Sequence, residues 1–193
     1  MINSDSRRKL LNFGAFQLAW FACVLAAAEG RALLATLAVA VAVCVHLWLA
    51  PRRVPEAMLV LAVTSIGLFW DSLVVSLGLV SYAAGNFADG VAPVWIIAMW
   101  ALFATSLNLS MGWLKGRPWL AALFGAMGGP LAYLAGERLG GVQMPDPVMA
   151  LGAQAIGWAA ILPLLTLLAT RLNGFEPAPA AWARLPQEAR RHV

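Results

Sequence analysis

With 193 residues, 62% of them hydrophobic and 11% charged, and a mean hydropathy of +0.78, this chain is far from the roughly 25% charged content of a soluble domain. A water-soluble globular fold is excluded: each long apolar run, at about 1.5 Å of helix per residue, can cross a hydrocarbon core about 30 Å thick. The net charge of +4 does not point to nucleic acid, because the basic residues sit at the ends of apolar runs and form no patch with interleaved aromatics.

The first predicted helix covers residues 10–28. Its flanks, Arg7-Arg8-Lys9 and Ala26-Ala27-Ala28, imitate a signal peptide with a cleavage site, but the run exceeds the usual apolar length of about 7 to 15 residues and carries Asn12 and Gln17. A retained helix is expected, with cleavage as the alternative. Further helices are predicted over 32–50, 58–80, 94–114, 119–136 and 148–170. They are separated by the breakers Glu29-Gly30-Arg31, Pro51 to Pro55, Pro93, Lys115-Gly116-Arg117-Pro118 and Met144-Pro145-Asp146-Pro147. The fold class is thus an all-α integral membrane protein, a six-helix transmembrane bundle over 10–170 between a basic N-terminus (1–9) and a basic tail (171–193).

All but two of the 13 Lys and Arg residues fall on one side of this arrangement, the exceptions being Arg31 and Arg138. The positive-inside rule then places both termini in the cytoplasm, and an odd number of spans would scramble the split. Residues 81–93, with Tyr82, form an outward-facing connection. The tail, with Trp182 and Arg190-Arg191, is expected to be disordered or to lie on the membrane surface, where each basic residue gains about 1 kcal/mol from anionic lipid.

Asp71 stands in the middle of the 58–80 run. An ionised side chain costs several kcal/mol in lipid, so such a residue faces a protein interior or a wet cavity. Helical spacing puts Thr64, Gly67 and Gly78 on its face and gives the fourth helix a matching stripe of Ala101, Thr105, Asn108 and Gly112. The fifth helix carries a small-residue face, Gly125, Gly129, Ala132, Gly136 and Gly140. Its Pro130 removes a backbone hydrogen bond and predicts a kink. The expected polar core or ligand site therefore comprises Asp71, Asn108, Thr105, Thr64, Gly129, Pro130, Tyr133 and Gln17. Asn12, Gln17, Tyr133 and Gln154 also have a simpler reading as interhelical hydrogen-bonding groups. Cys23 and Cys44 read as buried thiols, His46 as an interfacial hydrogen-bonding group, Trp158 as part of an aromatic belt, and Trp70 and Trp100 as deeper residues that pack the core, with lining of a pocket as the alternative.

Two histidines cannot build a multi-histidine di-iron centre, and the chain has neither HExxH, nor a Cys-His zinc set, nor a Walker motif. No metal, cofactor or nucleic acid is expected.

The segments Asn12-Phe13 with Gln17, Trp20 and Phe21, Ile66-Gly67 with Asp71-Ser72, Pro93-Val94-Trp95 with Trp100, Phe103 and Asn108, and Gly128-Gly129-Pro130 with Tyr133 and Gly136 resemble a family of bacterial inner-membrane proteins characterised only as a domain of unknown function. The resemblance runs over about 12–170. It implies a multi-pass protein of the bacterial inner membrane, encoded near cyclopropane-type fatty-acid synthases and flavin-dependent oxidoreductases. It carries no activity.

Three readings follow. The first is a lipid-binding or accessory component of membrane fatty-acid or lipid modification, with membrane lipids as partners and a lipid-modifying enzyme docked on the cytoplasmic face. The second is a small proton- or cation-coupled transporter using Asp71. The third is an intramembrane enzyme with Asp71 as acid or base, which a second ionisable group within hydrogen-bond reach would support.

Overall fold

The computed structural model describes residues 4–176, and the expected behaviour of the tail beyond them, including Trp182 and Arg190-Arg191, lies outside the described residues. Its elements run α1 (Ser4–Ala28), α2 (Ala32–Leu49), α3 (Arg53–Ser76), β1 (Ser81–Tyr82), α4 (Val94–Leu107), a 3-10 turn (Gly112–Leu114), α5 (Pro118–Arg138), β2 (Val142–Gln143) and α6 (Pro147–Arg171). Five of the six α-helices are long and apolar enough to cross a membrane. Large apolar side chains such as Leu18, Phe69 and Ile156 point outward, which is compatible with a lipid surround.

The fourth helix is shorter than its predicted span of 94–114. It stops at Leu107, and its 14 residues extend only about 21 Å. Polar groups end it: the Ser106 backbone carbonyl accepts the amides of Leu109 and Met111, while the Asn12 side chain of α1 accepts the amide of Ser110 at 3.3 Å and its hydroxyl at 2.8 Å. Such local partners compete with the helical ladder. Gly112, expected on the α4 stripe, therefore sits in the 3-10 turn.

Short as it is, α4 is the centre of the bundle. It packs against α1, α2, α3 and α6, and both ends of its sequence are buried, from Trp95 and Ile96 to Ser106 and Leu107. Around it, α1 pairs with α2, and α5 with α6. The α1–α2 turn closes where Gly30 takes φ +78, which brings the Arg31 amide to the Ala26 carbonyl at 2.8 Å. Asp146, read above only as part of a breaker, caps α6 by accepting from Val148 and Met149 at 3.1 Å each, with Pro147 in the first turn.

Indoles set in glycine notches hold the helices together. A Cβ on Gly67 would meet the Trp100 indole, one on Gly157 that of Trp70 and one on Gly129 that of Trp158, while one on Gly125 would meet the Trp158 backbone carbonyl, all well inside contact distance. Trp158 is accordingly not a belt residue: it lies midway along α6, stacked on Trp100 with centroids 4.7 Å apart. Cys23 is buried as expected, whereas Cys44 is exposed on α2. The 81–93 segment is more than a connection, because β1 pairs antiparallel with β2 and buries Tyr82. Pro130 leaves α5 a single helix from Pro118 to Arg138.

Candidate functional site

Helix α3 starts five residues earlier than predicted and ends at Ser76. Asp71 therefore lies about 7.5 Å along the axis from the helix end, not at its middle. It is 1% exposed. Three donors converge on its carboxylate. Oδ1 accepts from the Tyr82 hydroxyl at 2.7 Å and from the Tyr133 hydroxyl, and Oδ2 accepts from Trp100 Nε1 at 2.5 Å. A buried carboxylate needs several charge-assisted hydrogen bonds to offset the water it has lost, and these three come from three separate elements, β1, α4 and α5. Tyr82, outside the long helices, has its phenol held well above the ordinary Tyr range by burial and then by the neighbouring Asp71 carboxylate, so it stays a donor.

Asp71 and Tyr133 reach the surface of a cleft of about 510 Å³. Its sides are α1, with Phe16, Gln17 and Phe21, and α5, with Phe124 and Gly128; α4 and α6 form its floor through Trp100 and Trp158. Helices α1 and α5 do not pack extensively on each other, and the cleft lies between these two helices of membrane length. The glycines of α5 divide the work. Gly125 and Gly129 receive Trp158, while a Cβ on Gly128 would meet nothing within 4 Å and leaves the cleft free. The Trp158 Nε1 and Gln154 Nε2 groups are buried without a hydrogen-bond acceptor among the described residues, although Gln154 Oε1 accepts from Trp70 at 3.0 Å.

Of the expected site residues, Asp71, Tyr133, Gln17 and Gly129 line this one cleft. Pro130 belongs to α5 but is not in the cleft wall, and Thr64, two helical turns before Asp71, returns its hydroxyl to the Val60 carbonyl at 2.7 Å. Thr105 and Asn108 are separated from Asp71 altogether. They occupy the opposite end of α4, where Thr105 bonds its own helix and its carbonyl accepts from Asn12 at 3.1 Å.

Asn108 instead joins a second buried cluster centred on Glu56, which is 0% exposed. Glu56 Oε2 accepts from Asn108 Nδ2 at 2.8 Å and from the Gly174 amide at 2.9 Å, and Oε1 lies 2.8 Å from His46 Nε2. Lys115 Nζ donates to Asn108 Oδ1 at 2.5 Å, and Asn108 Nδ2 also reaches the Leu172 carbonyl at 3.0 Å. The chain just past α6 is thus fastened over the ends of α2 and α3. His46 makes the hydrogen bond expected of it, from a buried position. The sequence alone hides Glu56, because Pro55 reads as a helix breaker, whereas a proline in the first turn of α3 is compatible with the helix and puts the next residue inside it. Among the described residues, no group of three or more His, Cys, Asp or Glu side chains has the arrangement of a metal site.

The fold and its cleft define an all-helical protein compatible with multi-pass insertion in a membrane. The chain belongs to the family described as "Protein of unknown function (DUF2878)", which it matches over residues 9–164. No curated protein and no solved structure matches it.

Proposed function

We propose that this protein binds an acyl chain of a membrane lipid in the cleft between α1 and α5, as a binding or accessory component of membrane lipid modification. The observation that carries this reading is the cleft itself: apolar walls, a position between two membrane-length helices that do not pack extensively on each other, and a few polar groups at Tyr133, Asp71 and Gln17. A pocket of this size lies in the usual range of about 300–1,000 Å³ for small-molecule sites, which combine apolar walls with a few polar groups. In this proposal α4 and the 3-10 turn after it complete a sixth span, both termini are cytoplasmic in the bacterial inner membrane, and the basic ends of the helices receive a lipid-modifying enzyme. The segregation of Lys and Arg supports that orientation.

The test is the lipid that co-purifies with the protein, measured by mass spectrometry for wild type and Gly128→Leu. The leucine enters open space, so the fold should persist while bound lipid falls. Equal lipid in both proteins would sink the proposal.

The intramembrane-enzyme reading gains one specific observation, the two phenols of Tyr82 and Tyr133 within hydrogen-bond reach of Asp71. In that case Tyr133, at the cleft surface, is the proton donor or acceptor. Loss of a cellular lipid product in Tyr133→Phe with unchanged lipid binding would favour this reading. The transporter reading requires Asp71 to exchange its phenol and indole partners for a proton or cation, and proteoliposome flux that fails in Asp71→Asn would favour it.

A further inference from the structure

A second cavity of about 520 Å³ lies at the other end of the bundle, between the N-terminal half of α1 and the C-terminal half of α2, with α4 behind. Leu11, Val45 and Leu49 give it an apolar wall, and each of them is more than half exposed. Its rim carries Arg7 and Arg8. Arg8 lies 3.3 Å from Asp5 and over the Phe175 ring, 5.4 Å from its centroid, while Arg7 makes no ion pair among the described residues. The groove thus joins two guanidinium groups to an apolar trough that runs along membrane-length helices.

We infer that this groove is a site for an anionic phospholipid, its phosphate on Arg7 and Arg8 and an acyl chain along Leu11, Val45 and Leu49. Charge complementarity selects the occupant. Guanidinium groups pair with phosphate oxygens through parallel hydrogen bonds, and their position at a helix end is the level at which a headgroup lies. A zwitterionic lipid brings its own ammonium group to the same place and gains less. The site shares only Phe16 with the cleft beside Asp71 and does not depend on what that cleft binds.

Lipid-stripped full-length protein in neutral detergent, titrated with phosphatidylglycerol or phosphatidylcholine and read by native mass spectrometry, tests the inference. Phosphatidylglycerol should bind about thirtyfold more tightly, from two arginines near the headgroup level. The preference should vanish in Arg7→Ala/Arg8→Ala and persist in Arg7→Lys/Arg8→Lys. Ala15→Trp, which fills the groove from its α1 wall, should weaken binding of phosphatidylglycerol. Gly128→Leu, which blocks only the first cleft, should leave the preference intact, so failure here is distinguishable from failure of the acyl-chain proposal. Equal affinity for the two lipids in wild type, or a preference that survives removal of both arginines, overturns the inference. Displacement of the lipid by excess soluble glycerol phosphate also overturns it, by making this a site for a free anion.

Discussion

A Cβ placed on Gly67 would lie 1.9 Å from Cγ of Trp100, so the indole of α4 rests directly on the backbone of α3. That contact sets the depth at which Trp100 crosses α3, and Asp71, one helical turn further on, accepts its Nε1 proton. The missing side chain at one position thereby arms the carboxylate at another.

Gly67→Ala should displace Trp100 and lengthen its bond to Asp71, with a loss of about 1–3 kcal/mol typical of overpacked cores. Thermal unfolding in detergent measures it. Trp100→Phe, which removes the donor without crowding α3, should cost a comparable amount; an unchanged midpoint in both variants would contradict this account of the notch.

Asp71→Asn replaces one of the two carboxyl oxygens that accept these bonds by an N–H donor. Trp100 Nε1 can only donate and must take the remaining amide oxygen, so the Tyr82 and Tyr133 hydroxyls have to rotate and accept from the new N–H, and a loss of about 1–3 kcal/mol is expected for bonds remade in poorer geometry. Tyr133→Phe, which removes one donor of three, should cost less. If chemical unfolding ranks the two variants the other way, the carboxylate is not what organises this end of the bundle.

Glu56→Ala leaves His46, Asn108 and the Gly174 amide without their shared acceptor and should destabilise the protein by roughly 3 kcal/mol or more. Because Gly174 is held there, the segment after Arg171 should loosen, and tryptic cleavage at that exposed arginine should accelerate. Glu56→Gln keeps one acceptor oxygen and should be intermediate. Cleavage at the wild-type rate in Glu56→Ala would show that other contacts fasten the segment.

The alkaline limb of stability should depend on Tyr82. Its phenol is held well above the ordinary value of about 10, so the folded chain keeps a proton that the unfolded chain releases. The resulting stabilisation is complete below about pH 10 and is lost progressively as pH rises above it. Lys115 acts in the opposite sense. Partial burial holds its ammonium below the ordinary Lys range, so its contribution improves as pH rises toward the unfolded value, weakly because the group is half-exposed. Unfolding midpoints followed from pH 9 to pH 11 should fall in wild type and fall less steeply in Tyr82→Phe.

Composition and apolar run lengths by themselves determined an all-helical fold with helices long and apolar enough to cross a membrane, because the lengths needed to span lipid and the residues that break helices are local properties. They also marked Asp71, since a carboxylate in an apolar run is conspicuous without any knowledge of its neighbours. The tertiary structure alone decided its partners. Tyr82 and Trp100 come from elements 11 and 29 residues away, and their meeting depends on the strand pairing of β1 with β2 and on the Gly67 notch. The same holds for the division of Asp71 from Asn108. Helical spacing places both on inward faces, but only the axial placement of α4 against α3 puts one at each end, and spacing around a helix carries no information on how far one helix slides along another.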